Sequence, residues 1–251
     1  MKVCGFTFIR NAEKFDFPVV EAIESILPVC DYFVVAVGNS EDNTREIIQK
    51  IAPKKIKIIE TVWDENLKKD GTVYAAETNK AFDAVPEEFD WCFYIQGDEV
   101  VHEKYLPEIK KAMQKNRDDS RVEGLLFQYK HFYATFDYIA NSRKWYRNEI
   151  RIIRNDKSIR SYRDAQGFRK NGRKLNAVPV DAEIFHYGWV RHPKYMQEKI
   201  DAVKQFYDGI SEKEARKKAA EKEFSYSLNY DSLEKFTGSH PAVMKERLNR
   251  L

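Results

Sequence analysis

Cysteine, glycine and long apolar runs are all scarce in this sequence. Among its 251 residues there are three cysteines and ten glycines, and no stretch approaches the ~18–20 apolar residues that a membrane-spanning helix needs. Arg10 interrupts the apolar N-terminal segment too early for a secretory signal. We therefore expect a cytoplasmic protein without a transmembrane segment, which leaves only peripheral association with a membrane open.

The three cysteines form neither a disulfide framework nor a metal-binding motif. Cys4, Cys30 and Cys92 each lie in an apolar segment, and their spacing matches no metal knuckle. We expect all three to be reduced and buried. An apolar fraction of 43% excludes a disordered chain, and a chain of this length is expected to build one large core.

Net charge is also small, at +3, and does not by itself indicate a nucleic-acid partner. The charge is unevenly distributed, because residues 143–174 contain 12 Lys or Arg and only 3 acids. This asymmetry predicts a basic surface that faces an anionic ligand, either a diphosphate or an anionic acceptor. The aromatic residues among the basic ones suit stacking on sugars, so we expect no nucleic-acid partner.

The apolar pattern predicts alternating strands and helices over the first 120 residues. The predicted strands are residues 3–9, 32–37, 57–62 and 91–95. Each is followed by a segment with helical spacing of apolar residues, which predicts an α/β fold with a mostly parallel sheet and helices on both faces. Further strand-like segments, without helices between them, predict antiparallel strands added to the sheet. These segments are residues 122–133, 148–155 and 182–187.

The last part of the chain is predicted to be helical. Apolar spacing indicates a helix from Pro193 to about Tyr207, and Ser211 with Glu214 forms a capping box for another. Residues 166–176, rich in Gly, Asn and basic side chains, indicate a mobile loop over a cleft. We therefore expect an α/β domain at residues 1–190 and a helical extension at residues 191–251, packed on the same domain.

Two adjacent carboxylates follow the fourth predicted strand. Asp98 and Glu99 lie at its carboxyl end, where α/β sheets bind their ligands. Carboxylates so placed can hold a divalent cation, and the cation can hold phosphates. The alternative is that both side chains only cap and charge the first turn of the next helix.

Five motifs, taken in order, resemble those of the inverting family-two glycosyltransferases of the GT-A fold. The third stands where that family has its acidic DxD motif, and the resemblance covers roughly residues 1–190. The motifs are Arg10-Asn11, Ser40-x-Asp42-x-Thr44, Gln96-Gly97-Asp98, Arg151 to Asn155, and His186-Tyr187-Gly188. The resemblance implies a GT-A-like fold, a nucleotide-sugar donor, a carbohydrate or glycan acceptor, inversion at the sugar carbon, and Mn²⁺ or Mg²⁺.

The resemblance also implies roles for particular residues. Asp98 becomes the first metal-ligand candidate, with Glu99 and His186 as further ligands, although a His beside aromatic residues is also a common structural group. Asn39, Ser40 and Asp42 would line the nucleotide pocket, or Ser40 and Asp42 would only cap a helix. The other candidates for donor binding are Arg10, Asn11, Gln96 and Arg151.

Inversion requires a base near the acceptor hydroxyl. Asp164 is the only acid between Lys157 and Arg173, and its basic neighbours would keep it ionised, as a base must be. The alternative for Asp164 is an ordinary ion pair with a neighbouring arginine. Glu149 is the second candidate for the base.

Two departures from the family's motifs keep a second function open. Gln96 replaces the first acid of the DxD motif, and Val37-Gly38 replace the acid that usually ends the second strand. The alternative is a non-catalytic relative that binds a sugar nucleotide or glycan. A sugar nucleotidyltransferase ranks last, because the loop after the first strand has no glycines. The sequence makes no prediction about the oligomeric state.

Overall fold

Four parallel strands form the centre of the structure. A computed structural model describes residues 1–64, 66–67, 69–207, 224–227 and 231–250. These strands are parallel and lie in the order β3-β2-β1-β4. Their bounds are Val3–Ile9 (β1), Tyr32–Val37 (β2), Ile56–Glu60 (β3) and Trp91–Tyr94 (β4). Because β2 and β4 flank β1 on opposite sides, the carboxyl ends of β1 and β4 meet where the strand order reverses. Such a reversal is where open α/β sheets bind ligands.

Helices cover both faces of this sheet. Their bounds are Val19–Ile26 (α1), Thr44–Ile51 (α2), Thr72–Asp83 (α3) and Leu106–Lys115 (α4). Helices α1, α2 and α4 share one core, which contains Ile23, Ile109 and Val35. Helix α3 packs on the other face, where Phe82 and Val34 belong to a second core. Val34 and Val35 point to opposite faces because side chains alternate along a strand. The predicted parallel sheet with helices on both faces is confirmed.

Antiparallel strands extend the sheet beyond β4. Strand β8 (Asn148–Arg154) pairs with β4, and β6 (Gly124–Tyr133) pairs with β8, both antiparallel. Strand β12 (Ala177–Trp189) runs parallel to β6, and the short β5 (Glu99–Val101) is antiparallel to β12. Two further strands are Tyr138–Ala140 (β7) and Leu233–Lys235 (β13). Strands β8 and β6 are therefore antiparallel as predicted, whereas β12, predicted to be antiparallel, runs parallel to β6. The sheet as a whole has the predicted GT-A-like arrangement.

A separate three-stranded antiparallel sheet covers part of α3. Its strands are Ile159–Tyr162 (β9), Gly167–Lys170 (β10) and Arg173–Lys174 (β11), in the order β11-β10-β9. The prediction of a mobile loop at residues 166–176 is therefore wrong, because most of this segment forms β10 and β11. Phe168 anchors the sheet in the second core, with its ring 6.3 Å from that of Phe6 and 5.5 Å from that of Tyr94. Strands of two to four residues are too short to show a clear alternating pattern.

Glu123, the residue before β6, connects the small sheet to the start of that strand. Its carboxylate accepts hydrogen bonds of 2.6 and 2.7 Å from Arg173 and one of 3.0 Å from the Asn176 backbone N–H. Lys170 lies 3.0 Å from the same group. The hydrogen bonds from Arg173 dominate and, with those from Asn176 and Lys170, hold the pKa of Glu123 well below its usual range.

Replacing Glu123 with Gln is expected to lower the free energy of unfolding by about 1–2 kcal/mol at pH 7, because Arg173 and Lys170 lose a charged partner. The folded-state pKa of Glu123 lies below its unfolded value, so its stabilisation is complete above about pH 4.3 and falls as the pH decreases. Thermal unfolding at pH 7, 5 and 3.5 should show the difference from wild type shrinking toward low pH. Glu108→Gln, at an exposed position, is the control. A difference independent of pH would contradict this account.

The C-terminal part includes helix α5 (Pro193–Tyr207) and the short helix α6 (Lys245–Leu248). Arg247 of α6 pairs with Asp16 at 2.5 Å and with Glu21 at 3.0 Å. The predicted Ser211–Glu214 capping box lies outside the described residues. The rest of the structure contains three short 3₁₀ helices at Leu27–Val29, Glu103–Tyr105 and Ala242–Met244, counted within the described residues.

Two predictions from composition concern the state of the cysteines and the presence of membrane-spanning helices. Cys4, Cys30 and Cys92 are buried and unpaired, as predicted. Of the helices in the described ranges, none has both the length and the apolar content needed to cross a bilayer.

Candidate active site

A cavity of about 540 Å³ lies at the carboxyl ends of β1 and β4. Arg10 and Asn11 line it from the end of β1, and Gln96 and Asp98 line it from the segment after β4. Helix α5 forms another wall with side chains that include Lys199. We call this space the β1–β4 cavity. The sequence predicted ligand-binding side chains at this sheet edge, where the cavity lies, but did not indicate that α5 would line it.

Aromatic rings form one side of the β1–β4 cavity. The Trp63 ring lies 5.9 Å from that of Phe8, 5.6 Å from Tyr74 and 5.5 Å from Phe206. The Arg10 guanidinium carbon is 5.4 Å from the centre of the Trp63 ring. Arg10 Nε and Trp63 Nε1 are buried and have no hydrogen-bond partner among the described residues. Flat apolar faces beside unpaired donors suit a ligand that both stacks and accepts hydrogen bonds.

Asp98 is the acidic centre of the cavity and is 8% exposed. Lys199 Nζ donates to Asp98 Oδ2 at 3.2 Å and to the Gly188 carbonyl at 3.0 Å. Burial opposes ionisation of Asp98, but the ammonium of Lys199 and the guanidinium of Arg191 outweigh it and lower the Asp98 pKa to about 2. Burial lowers the pKa of Lys199 to about 8, with Arg191 acting in the same direction and Asp98 opposing it. Asp98 is therefore an ionised carboxylate that is already paired with one cation.

His186 faces Asp98 with one ring nitrogen, and a hydrogen bond from its other ring nitrogen fixes its tautomer. His131 Nε2 lies 2.7 Å from the Tyr146 carbonyl, which can only accept, so this nitrogen carries the proton. His131 Nδ1 then accepts from His186 Nδ1 at 3.0 Å. Burial lowers the pKa of both imidazoles, that of His131 to about 3, so both are neutral at pH 7. The lone pair of His186 Nε2 is thus left facing Asp98 Oδ1 at 3.7 Å.

Asp98 Oδ1 and His186 Nε2 are close enough to be two ligands of one cation. Two metal–ligand bonds of roughly 2.1 Å place their donor atoms roughly 3–4 Å apart, and Asp98 Oδ1 and His186 Nε2 are 3.7 Å apart. The described residues contain no cluster of three or more His, Cys, Asp or Glu around a possible ion. Magnesium-type sites in nucleotide enzymes use only one or two protein ligands and complete the shell with phosphates and water. The residues therefore fit a two-ligand site, in which the imidazole favours Mn²⁺ over Mg²⁺.

Glu99 does not join Asp98 in the cavity, which corrects the expected metal-ligand set. It starts strand β5 and is fully buried. Arg151 donates to its two oxygens at 2.7 and 2.8 Å, and Tyr129 Oη donates at 2.7 Å. The Gln96 backbone N–H adds a bond of 3.1 Å. These bonds engage both carboxylate oxygens, so Glu99 supports the segment that carries Asp98 instead of binding a cation.

Arg151 is likewise a structural residue beneath the site and does not line the cavity, contrary to the donor-binding role expected for it. It is fully buried, and its guanidinium carbon lies 5.3 Å from the ring centres of Tyr94 and Tyr129. It also donates to the Gln166 carbonyl at 2.8 Å. Strand β8, strand β5 and the turn before β10 are therefore held together by one side chain.

Ser40 and Asp42 of the S-x-D-x-T loop bind the chain after β1 and do not line the cavity, whereas Glu41 between them does. Ser40 Oγ accepts from the Asn11 backbone N–H at 3.0 Å, and Asp42 accepts from the Lys14 backbone N–H at 2.7 Å. Asp42 also accepts from Thr44 at the start of α2. Asn39 Oδ1 accepts from the Trp63 backbone N–H at 3.4 Å. Contrary to the expected direct contacts, Asn39, Ser40 and Asp42 lie outside the lining. They bind the backbones of Trp63, Asn11 and Lys14, in that order, and these three residues line the cavity.

The two candidates for the base lie in different places. Asp164 lines the β1–β4 cavity, where Tyr207 Oη donates to it at 3.4 Å. Glu149 lies outside that lining and accepts from Gln166 Nε2 at 2.8 Å. Burial raises the pKa of Glu149. Gln96 is at the cavity wall, where its amide donates to the Ala165 carbonyl at 3.2 Å and so holds the turn that carries Asp164.

Sequence reasoning missed Lys199 and Arg191. Arg191 is 1% exposed and donates to the Phe15 carbonyl at 2.6 Å, while its Nε and Nη2 have no partner among the residues that the structure describes. Lys199 is separated from Asp98 by 101 positions in the chain. The signal for Lys199 was only that of a lysine in a helix with other lysines and apolar positions, and this pattern is common on solvated helices.

Comparison with known proteins gave similar structures but no related sequence. No family model matches the chain, and no curated protein matches it. A crystal structure of S. aureus TarS is 15% identical, with a TM-score of 0.45, over 81% of this chain and 39% of that one, so this chain spans well under half its length. A TarS fragment in complex with UDP-GlcNAc is also 15% identical, with a TM-score of 0.49, over 88% and 71%. Glucosyl-3-phosphoglycerate synthase from Mycobacterium tuberculosis, in complex with Mn²⁺, UDP and phosphoglyceric acid, is 14% identical, with a TM-score of 0.33, over 53% and 43%.

Proposed function

We propose that this protein transfers a sugar from a nucleoside-diphosphate sugar to a carbohydrate acceptor, with inversion at the sugar carbon. The observation that supports this most strongly is that Asp98, Lys199 and Asp164 line one aromatic cavity at the carboxyl ends of β1 and β4. Sugar transfer needs a cation for the leaving diphosphate and a carboxylate for the acceptor proton. It also needs a surface that orients the donor, and rings with unpaired donors supply one.

The donor's two halves have different partners in the β1–β4 cavity. The base and ribose fit the aromatic side, where Trp63 and Arg10 offer a ring face and unpaired N–H groups. The diphosphate fits the side of Lys199, whose ammonium offsets the charge that grows on the phosphate oxygens as the glycosidic bond breaks. Asp98 and His186 would hold Mn²⁺, which when bound supplies Lewis-acid stabilisation of the leaving group.

Asp164 is the base in this proposal. The acceptor oxygen forms a bond to the anomeric carbon while the bond from that carbon to the diphosphate oxygen breaks, and its electron pair leaves with the nucleoside diphosphate. Asp164 takes the proton from the acceptor hydroxyl. Attack on the face opposite the leaving group inverts the configuration at the anomeric carbon. The position of Asp164 in the cavity wall supports this role, and Glu149 is disfavoured because it does not line the cavity.

The first test is donor turnover. Purified protein with Mn²⁺ is expected to hydrolyse at least one of a panel of UDP- and GDP-sugars slowly, with the released nucleotide measured by chromatography. The same donor should raise the melting temperature, because a ligand that binds only the folded state stabilises it. Nucleotide binding without any turnover, across the panel and with acceptor glycans added, would instead support a non-catalytic sugar-nucleotide-binding protein.

Asp164→Asn is expected to lower sugar transfer by about 10²–10⁴-fold, because a positioned base contributes an effect of this size. Donor affinity should change little, since the proposed role concerns the acceptor proton. Glu149→Gln tests the other candidate in the same assay, and Asp118→Asn, at an exposed position, is the matched control. Loss of transfer in Glu149→Gln with full activity in Asp164→Asn would reverse the assignment.

A further inference from the structure

We propose that the outer face of the small sheet is a second ligand site, which binds an oxyanion such as a phosphate or carboxylate group. This basic face consists of Arg160, Tyr162, Arg169 and Lys174. Arg169 lies directly opposite Arg160 on one side and opposite Lys174 on the other. Residues in register on neighbouring strands share a face, so three cations stand in one row across β9, β10 and β11.

Like charges directly opposite each other destabilise a sheet, and two carboxylates, those of Asp83 and Glu149, offset only part of the charge on this face. Asp83 pairs with Arg160 at 2.5 and 3.1 Å. Among the described residues, Arg169 donates hydrogen bonds only to the Phe168 carbonyl and the Tyr162 hydroxyl, and Lys174 has no carboxylate partner. The Glu149 carboxylate lies beside Gly167 on this face and interacts electrostatically with Arg169 without a hydrogen bond between them. Asp156 and Glu123 are engaged by Lys170, which belongs to the other face. The row therefore carries positive charge that an anionic ligand would neutralise.

The Tyr162 ring lies near two arginines, Arg169 in the row and Arg163 next to it. The guanidinium carbon of Arg169 lies 4.2 Å from the centre of the Tyr162 ring, and that of Arg163 lies 5.8 Å from it. An open cavity of about 630 Å³ lies beside them. Its lining includes four basic residues and no acid. Guanidinium groups beside a ring and facing an open space suit planar, bidentate recognition of an oxyanion.

The turn between β9 and β10 separates this cavity from the β1–β4 cavity. Arg163 and Asp164 are consecutive in the chain, yet Arg163 lines the basic cavity and Asp164 lines the other. The backbone of Arg163 is left-handed, with φ of 54°, and that of Ala165 is also left-handed, with φ of 62°. A molecule anchored by an anionic group at Arg163 and Arg169 would therefore approach Asp164. We assign the anionic group to the acceptor, and this assignment rests on the proposed function.

Calorimetric titration with glucose 6-phosphate, with glucose as the neutral comparison, tests the site directly. At about 50 mM salt, where screening is weak, wild-type protein should bind the phosphate sugar and not glucose. The double variant Arg163→Gln, Arg169→Gln should bind about tenfold more weakly or worse, because two charge-assisted hydrogen bonds are lost. The matched control is Lys54→Gln, Lys110→Gln, which removes the same charge from exposed positions elsewhere and should bind like wild type.

Several outcomes would overturn the proposal. They are equal weakening in both double variants, unchanged binding in the arginine variant, or no binding by wild type. If the arginine variant does not fold, Lys174→Gln replaces it, because Lys174 is exposed on the same row. This variant should weaken binding several-fold.

In the transfer assay, phosphorylated acceptors should show a lower KM than neutral ones. Absence of donor hydrolysis would refute the proposed function but not the anion site, whereas hydrolysis with no preference for anionic acceptors would refute only the acceptor assignment.

Discussion

Replacing Arg151 with Met is expected to lower the free energy of unfolding by about 3–5 kcal/mol. Removing one partner of a buried ion pair leaves the other charge without compensation, and this is the size of the usual loss. Both Arg151 and Glu99 are fully buried. Two bonds between them, and a further bond from Arg151 to the Gln166 carbonyl, would be lost together. Urea denaturation at pH 7 measures the change.

The double variant Glu99→Gln, Arg151→Met provides the internal control for that result. It contains no unpaired buried charge, so it should recover part of the stability that the single arginine variant loses. Arg121→Met is the surface control, since Arg121 pairs with Asp119 at an exposed position, and it should stay within about 0.5 kcal/mol of wild type. If Arg151→Met lost less than about 1 kcal/mol, the ion pair would not be the main support of this region.

Asp98→Asn is expected to lower turnover by about 10²–10³-fold, the usual effect of removing one group that stabilises transition-state charge. It should also abolish the increase in donor affinity that Mn²⁺ produces, because the amide cannot replace the charge of the carboxylate. Calorimetry with UDP, with and without Mn²⁺, measures this second effect independently of turnover. Asp118→Asn serves again as the exposed control.

Lys199→Met tests whether the ammonium of Lys199 competes with the proposed Mn²⁺ for Asp98. Lys199 Nζ lies 3.2 Å from Asp98 Oδ2, so removing the ammonium should tighten Mn²⁺ binding while lowering turnover, since the diphosphate loses its partner. Asp98→Asn and Lys199→Met should therefore change Mn²⁺ affinity in opposite directions. Weaker Mn²⁺ binding in both variants would show that Lys199 supports the metal site and does not compete with it.

The parts of this molecule that follow from local pattern were predictable. Continuous apolar segments ending in polar residues located β1, β2 and β4 and placed Arg10, Asn11 and Asp98 at the correct edge of the sheet. Asp164, singled out as a lone acid in a basic segment, also lines the cavity, and its role as the base stays a prediction. These inferences needed only side-chain periodicity and the short residue types that follow each strand.

The errors concern side chains whose partners are distant in the chain. Nothing near Glu99 shows that Arg151, 52 positions later, will engage both its oxygens, so its adjacency to Asp98 wrongly suggested a shared role. Ser40 and Asp42 matched a motif, yet a motif does not reveal whether an oxygen will bind a ligand or a neighbouring loop. The role of Lys199 depends on where α5 docks, and docking is decided by packing of rings such as Phe206 against Trp63.

Helix α5 supplies one wall of the β1–β4 cavity, and this has a consequence for how specificity can change. The parallel strands bury their own cores and do not need α5 for them. Side chains of α5 that face the cavity, such as Glu198 and Asp201, can therefore be exchanged without disturbing the sheet. The structure thus separates the parallel sheet, whose carboxyl edge carries Asp98, from the α5 wall, where exchange of side chains would change which ligand the cavity accepts.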